Sequence, residues 1–277
     1  MLQIENLTYR YNRKKVLFNG LNLSLLPGKV YGLLGKNGAG KSSLIKNMAG
    51  LLFPSKGKCL IDNWEPRKRE TAFLEQLFFI PEECELPRLS VPDFIELYAA
   101  FYPAFNKEQF MDYLKIFNVS QDGQLQRLSF GQKKKAYIAF ALAANTNLLI
   151  MDEPTNGLDI PSKLQFRNIV TAAGREDKIT IISTHQVRDL DDLISSIIII
   201  DNSELLLYAD KEEVSRKLFF STGEIANKAA VIYEEQTPQG NVHITLNDHA
   251  QPSYLDLEIL FNATLDKREQ ITNIFTT

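Results

Sequence analysis

Around Leu2–Tyr9, and again over Asn22–Leu26, apolar and polar positions alternate with a period of two, which predicts half-buried strands. Pro27-Gly28 marks a turn. Val30–Leu34 then runs apolar without a break, the pattern of a strand covered on both faces. A glycine-rich loop follows, and Lys41–Met48 carries helical spacing that stops at Gly50. From about Val91 to Asn118 the spacing is helical and aromatic, with Phe94, Tyr98, Phe101, Phe105, Phe110 and Phe117 among the recurring residues. This predicts a helical block around an aromatic core and carries no sign of a cofactor box. After Asn147 short apolar runs return at Leu148–Met151, Ile179–Ile182 and Ile197–Ile200, with a helix over Ser162–Ala173 between the first two. Glu204–Tyr208 joins the last of these runs through Asp201-Asn202-Ser203. Strands alternating with helices predict an α/β fold with a mainly parallel sheet, the helical block being inserted between its strands.

Beyond Arg216 the pattern weakens. Ala229–Tyr233 and Val242–Leu246 predict a hairpin across Thr237–Asn241, followed by a helix over Ser253–Ala263. The chain therefore divides into residues 1–215, with the helical block at about 86–144, and a small extension, 216–277, to which the sequence assigns no role. No internal repeat or low-complexity tract occurs.

Composition narrows the classes. The 277 residues are 44% hydrophobic and 23% charged, ordinary values for a globular chain rather than a disordered one. A net charge of -3 supplies no global positive field, so nucleic acid is not an expected partner. Arg67-Lys68-Arg69 reads as a solvated face, as a short charge run usually does. Cys59 and Cys84 have no CxxC spacing and no nearby histidine, so neither a disulfide nor a zinc site is expected, and a reducing compartment is. The amino terminus, MLQIENLTYRYNRKK, does not read as a secretory signal. Ile197–Ile200 is far short of the ~20 apolar residues that cross a bilayer, so work at a membrane would need a membrane-spanning chain from elsewhere.

Four clusters carry chemistry. Gly35-Lys36-Asn37-Gly38-Ala39-Gly40-Lys41-Ser42, with Ser43 after it, matches GxxxxGK[ST] between a predicted strand and a predicted helix. Its glycines allow backbone N–H groups to face phosphate oxygens, and the helix start adds its positive dipole end. Lys41 would reach the β and γ phosphates, and the Ser42 hydroxyl would hold Mg²⁺. Leu148–Met151 places Asp152 and Glu153 at a strand's end, Asp152 suited to Mg²⁺ and Glu153 to polarising an attacking water. An acidic pair after a strand is also a common solvated feature. His185, in Ser183-Thr184-His185, stands after the strand Ile179–Ile182. A lone histidine is more often structural than catalytic, but this one shares the carboxyl end of the sheet with the other two clusters, where open α/β sheets bind ligands. His243 and His249, in the tail, have no partner legible in the sequence and no assigned role. The fourth cluster is Leu128-Ser129-Phe130-Gly131-Gln132, followed by Lys133-Lys134-Lys135 and an apolar helical run. Ser129 suits a helix cap and Gly131 a close ligand approach. Three lysines in a first turn oppose the helix dipole; an anion docking there would offset this, while exposed, solvated lysines are the plain alternative.

Taken in order over Leu2–Leu207, these motifs resemble the ABC ATPase family. GKNGAGKS is similar to Walker A, LSFGQ to the family signature, and LLIMDE to Walker B with its catalytic glutamate. TNGLD, ending at Asp159, resembles the D-loop, and His185 the switch histidine. Tyr11 matches the aromatic that stacks on adenine. The resemblance implies a P-loop NTPase fold with an antiparallel β subdomain, ATP and Mg²⁺ as ligands, and a head-to-tail dimer. In that dimer, of two copies or with a second ATPase subunit, the Walker A of one protomer faces Ser129, Gly131 and Gln132 of the other, with Asp159 near the shared nucleotides. It further implies a separate integral membrane permease and a cytoplasmic chain peripheral to the inner face of the cell membrane. Two departures stand out: Phe130 replaces the second glycine of LSGGQ, and Glu82 stands where the family generally has the Q-loop glutamine, which leaves it to contribute a carboxylate to the Mg²⁺ site. Glu82 and Phe101-Tyr102-Pro103-Ala104-Phe105 resemble the ATPases of bacterial ABC-2-type exporters. Translation factors of the superfamily carry two cassettes, and its DNA-repair members carry long coiled coils. This chain has one GKNGAGKS, one LSFGQ and no sustained heptads. A non-catalytic regulator would be expected to lack Glu153 or His185; both are present.

Overall fold

In the computed structural model, which describes residues 1–12, 16–223, 230–238, 240–248 and 253–275, the first alternating run becomes β1 (Leu2–Arg10). It pairs antiparallel with β2 (Val16–Leu25), a longer strand than Asn22–Leu26 because it also takes in Val16–Phe18, a register shift absorbing Asn19 and Gly20 between Phe18 and Leu21. The chain then runs through β3 (Lys29–Leu34) and the glycine-rich loop to α1 (Lys41–Met48), and β4 (Lys56–Ile61) returns to the free edge of β1. A short α2 (Thr71–Leu74) leads to β5 (Leu77–Ile80).

The aromatic block is not one continuous helix. It comprises α3 (Val91–Tyr98), α4 (Lys107–Ile116) and α5 (Phe130–Ala143). Pro103, which has no N–H to give, lies in the gap between α3 and α4, and Asn106 restarts the helix by accepting from the Gln109 N–H at 3.0 Å. Then follow β6 (Leu148–Asp152), α6 (Ile160–Ala172), β7 (Ile179–Thr184), β8 (Ser196–Asp201), β9 (Glu204–Asp210) and α7 (Lys211–Lys217). Among the described residues six strands form one sheet in the order β5-β6-β7-β3-β8-β9, parallel except for β9.

The tail forms β10 (Leu218–Thr222), β11 (Tyr233–Thr237) and β12 (Gly240–Leu246), then α8 (Leu257–Asp266) and α9 (Arg268–Phe275). The expected hairpin strand Ala229–Tyr233 is displaced: Tyr233–Thr237 pairs with β12, with Thr237 opposite Gly240, and Ala229 lies outside the described residues. Gly240, at φ +119, allows that tight turn. The last predicted helix starts at Leu257 rather than Ser253, because Asp256 caps it while Ser253 Oγ accepts from the Phe220 N–H at 2.8 Å. His243 is buried, and its Nε2 donates to the Gly223 carbonyl at 2.7 Å, a partner its sequence context did not reveal; His249 lies outside the described residues.

The unbroken apolar runs are explained by two cores, one on each face of the sheet. Leu33, Leu148, Ile150, Ile198 and Ile200 join the β1, β2 and α1 side chains. Their neighbours Leu34, Leu149, Met151, Ile197 and Ile199 join α3, α4, α5 and the tail. Successive residues of a strand point to opposite faces, so a strand buried on both sides is apolar throughout.

Candidate functional site

The glycine-rich loop sits where β3 meets α1. Gly38 and Gly40 have φ of 82 and 108, angles that side chains disfavour. A Cβ at Gly35 would lie 2.6 Å from the Ile200 carbonyl, and one at Gly40 2.9 Å from the Phe18 ring, so both positions are also held by space. Lys41 is buried; its Nζ donates to the Gly35 carbonyl at 2.7 Å and the Lys36 carbonyl at 3.3 Å. The ammonium is thus curled back along the loop that precedes it.

Across the cleft, β6 and β7 deliver the carboxylates and the histidine. Asp152 accepts from Ser183 Oγ at 2.5 Å. Glu153 is buried at φ 45, in the left-handed region, with its N–H bonded to the Ser183 carbonyl at 3.1 Å. Its Oε1 lies 2.9 Å from His185 Nδ1 and 3.5 Å from Lys41 Nζ. A carboxylate only accepts, so Nδ1 carries the imidazole proton in this contact. Strand order places three groups from separate parts of the chain at one point, within a cleft of about 480 Å³. Asn37, Gly38, Gly40, Lys41, Ser42 and Ser43 line it from the loop, facing Glu82, Glu153 and His185. Tyr11 lines its mouth, 59% exposed, its ring edge-on to Tyr9 and its hydroxyl 2.6 Å from Ser43 Oγ. Gly35, Lys36 and Ala39 shape the loop from behind and do not line the cleft.

Ser129, Gly131, Gln132 and Asp159 are not cleft residues of the same chain. Ser129 and Gln132 form a reciprocal capping box at the start of α5, with Ser129 N–H donating to Gln132 Oε1 at 3.1 Å. Asp159 caps α6, accepting from the Ser162 N–H at 3.0 Å, and those bonds hold its carboxyl below the usual range. The Phe130 ring lies against Gly157, where an added Cβ would come within 2.7 Å of it. The departure at Phe130 is therefore accommodated by a glycine of the neighbouring loop.

Of the three lysines after the signature, the middle one is neither exposed nor free for an anion. Lys134 is 1% exposed, and its Nζ donates to the carbonyls of Glu153 at 2.7 Å and Glu82 at 3.1 Å. Burial pushes its pKa down, opposed by the neighbouring Cys84 and by Glu82, Glu153 and Asp152. The signal was present in the sequence: Lys134 is four residues before the buried Ile138 and so shares the inward face of α5. Asn156 was not anticipated either. Its Nδ2 donates to Glu82 Oε1 at 3.1 Å, and its Oδ1 accepts from Gln186 Nε2 at 3.3 Å.

The cleft holds hard oxygen donors: the Ser42 hydroxyl and Glu82 carboxylate on its lining, with Asp152 at the end of β6. Among the described residues no group of three or more His, Cys, Asp or Glu converges into a metal cage. A partial set of oxygen ligands suits Mg²⁺, which keeps several positions for phosphate and water.

Comparison with known proteins gives a consistent result. A family profile described as ABC transporter matches residues 18–156. The lantibiotic transport ATP-binding protein SrtF of Streptococcus pyogenes is 31% identical over 216 residues, 75% of this chain and 90% of that protein. The bacitracin transport ATP-binding protein BcrA of Bacillus licheniformis is 29% identical over 248 residues, 85% of this chain and 79% of that one. Among solved structures, cbiO1 from Clostridium perfringens, part of the ABC transporter complex cbiONQ, aligns with a TM-score of 0.63 at 28% identity, covering 77% of this chain and 89% of that one.

Proposed function

The chain belongs to the ABC transporter family of ATP-binding proteins, and we propose that it hydrolyses ATP in the cleft between the glycine-rich loop and Glu153 to drive export through a separate membrane-spanning subunit. The observation that carries this reading is the convergence of Lys41, Glu153 and His185 within hydrogen-bonding or ion-pairing reach. In the proposed arrangement Tyr11 stacks on the adenine, Lys41 and the loop N–H groups take the phosphates, and Glu153 accepts the proton of the attacking water while His185 orients its carboxylate. Phosphate binding draws Lys41 from Glu153, which frees the carboxylate to act as a base. Ser42, Asp152 and Glu82 would hold Mg²⁺, whose charge offsets that of the phosphates. Asp159, Ser129, Gly131 and Gln132, turned away from the cleft of their own chain, serve the nucleotide of a second ATPase subunit.

No described helix is long and apolar enough to cross a membrane. A second concavity of about 590 Å³ supports docking to one that is. It is lined by Leu51, Leu74, Phe79, Phe101 and Tyr102 among others, and Leu51 and Phe101 expose 44% and 62% of their surface. Exposed apolar patches of this kind mark protein contacts. β5 joins the two sites, since Phe79 lines the concavity and Glu82, three residues on, lines the cleft. The proposed location is the cytoplasmic face of the cell membrane, with residues 1–215 as the motor and 216–277 as an appended unit. The names of SrtF and BcrA, which give lantibiotic and bacitracin transport, support a cargo of that antibiotic class, and the likeness of Glu82 and Phe101–Phe105 to ABC-2-type exporters supports export over import.

The test is Glu153→Gln. It should bind ATP and lose roughly 10²–10⁴-fold in turnover, the usual weight of a general base. Size-exclusion chromatography with ATP and Mg²⁺ should show a shift from monomer to dimer. Near-normal turnover in this variant would sink the assignment.

A further inference from the structure

We propose that Lys134 is a positioning residue that fastens the signature helix to the catalytic carboxylate of the same chain, so that what binds at Ser129 is felt at Glu153. The proposal rests on the ATPase reading of the cleft. Four hydrogen bonds close a ring: Lys134 Nζ to the Glu82 and Glu153 carbonyls, the Asn156 N–H to the Glu153 carbonyl at 3.3 Å, and Asn156 Nδ2 to Glu82 Oε1. Two members of that ring carry the chemistry, and one of them, Glu153, is held in left-handed backbone. Its N–H is tied to Ser183 and its carbonyl to Lys134, so both sides of the strained residue are clamped. Lys134 stands five residues after the cap Ser129, about 7.5 Å along a rigid helix. A shift or tilt of α5 on engaging an anion is therefore delivered directly to the Glu153 peptide.

A purely structural role accounts poorly for this residue. Its helix face is otherwise apolar, with Ile138 and Ala141 fully buried. Replacing a buried charge by a well-packed apolar side chain is often neutral or stabilising, so packing alone gains nothing from an ammonium here. What the ammonium adds is two donors to two carbonyls of the site.

The experiment uses Lys134→Met, which keeps all but the last atom of the side chain and removes the donors, and Lys134→Arg, which restores donors. In the full chain, Lys134→Met should keep the KM for ATP within about threefold while kcat falls by roughly 10–100-fold, the split expected when a catalytic group is misplaced and nucleotide binding is left intact. Lys134→Arg should recover part of that loss. Hydrogen exchange supplies a readout independent of turnover: the Asn156 amide should exchange faster in Lys134→Met, while amides of β3 and β12 keep their protection. Folded Lys134→Met with wild-type kcat overturns the proposal. So does a loss of protection spread evenly over the molecule, which would make Lys134 merely structural. Failure of the ATPase reading shows separately, as absence of ATP binding by the unaltered chain, and leaves the exchange result to judge the clamp.

Discussion

Glu153 concentrates the costs of the site in one residue. A non-glycine residue in left-handed backbone is strained by on the order of 1–3 kcal/mol, and here the strain is held by Ser183 on one side and Lys134 on the other. The Asp-Glu pair itself was legible, because an apolar run that ends in two carboxylates has few other readings beside a phosphate loop. The backbone angle and the burial of Lys134 were not, since both follow from contacts between segments far apart in the chain. Glu82 tests the unusual loop. A carboxylate offers only acceptors where a glutamine offers one carbonyl and a donor. Glu82→Gln should keep activity within about tenfold, or about 1.4 kcal/mol on the barrier. Glu82→Ala should raise the Mg²⁺ concentration for half-maximal hydrolysis more than it weakens metal-free nucleotide binding. An unchanged half-saturation point would reject the metal role. Lys178 gives a pH dependence outside the site. It is 3% exposed, and burial pushes its pKa down to about 8. Between that value and the ordinary lysine value of about 10.4 the unfolded chain binds the extra proton, so this group makes stability rise with pH. Urea denaturation should show Lys178→Met more stable near neutral pH by on the order of 1–3 kcal/mol, and lacking that part of the alkaline rise.

Among the elements, α5 links most parts of the molecule. It begins at the signature, carries Lys134 to the site, and presents Phe140 to the aromatic cluster. Phe94, Phe105, Phe110 and Tyr102 meet the Phe140 ring at centroid distances of 4.7 to 6.1 Å, and Phe78 of β5 meets it at 5.9 Å. Phe140 thus sits at the centre of the contact between helical subdomain and sheet, which Tyr102 and Tyr137 share by meeting Phe78 at 5.1 and 5.7 Å. The subdomain's aromatic spacing was readable as helix, and Pro103, with the five-residue step from Phe105 to Phe110, carried the signal for the break. Removing the Phe140 ring should cost what truncating a large, fully buried aromatic ordinarily costs. Phe140→Ala is expected to lower stability by roughly 3–5 kcal/mol, measured by urea titration. A loss below about 1 kcal/mol would mean that the block and the sheet are held together elsewhere.

At the scale of the whole molecule, the tail is continuous with the motor's core. Phe220, Ile244, Leu257 and Leu260 share one apolar cluster with Met151 and Ile182 of the central sheet, and Arg188, three residues after His185, pairs with Glu258 of α8. The sequence showed little of this, because its short strands lack the long apolar runs that marked β6 to β8. The central claim also lies at this scale: a complete site takes its phosphate loop from one chain and its signature from another, which agrees with Ser129 lying outside the cleft of its own chain. Mixing Lys41→Ala chains with Ser129→Arg chains tests it most directly. Each variant alone has a lesion in both sites and should be inactive. A mixed dimer has one site with both lesions and one with neither, so random exchange at equal amounts should restore about a quarter of wild-type ATPase activity. A mixture that forms mixed dimers and stays inactive would contradict the shared site.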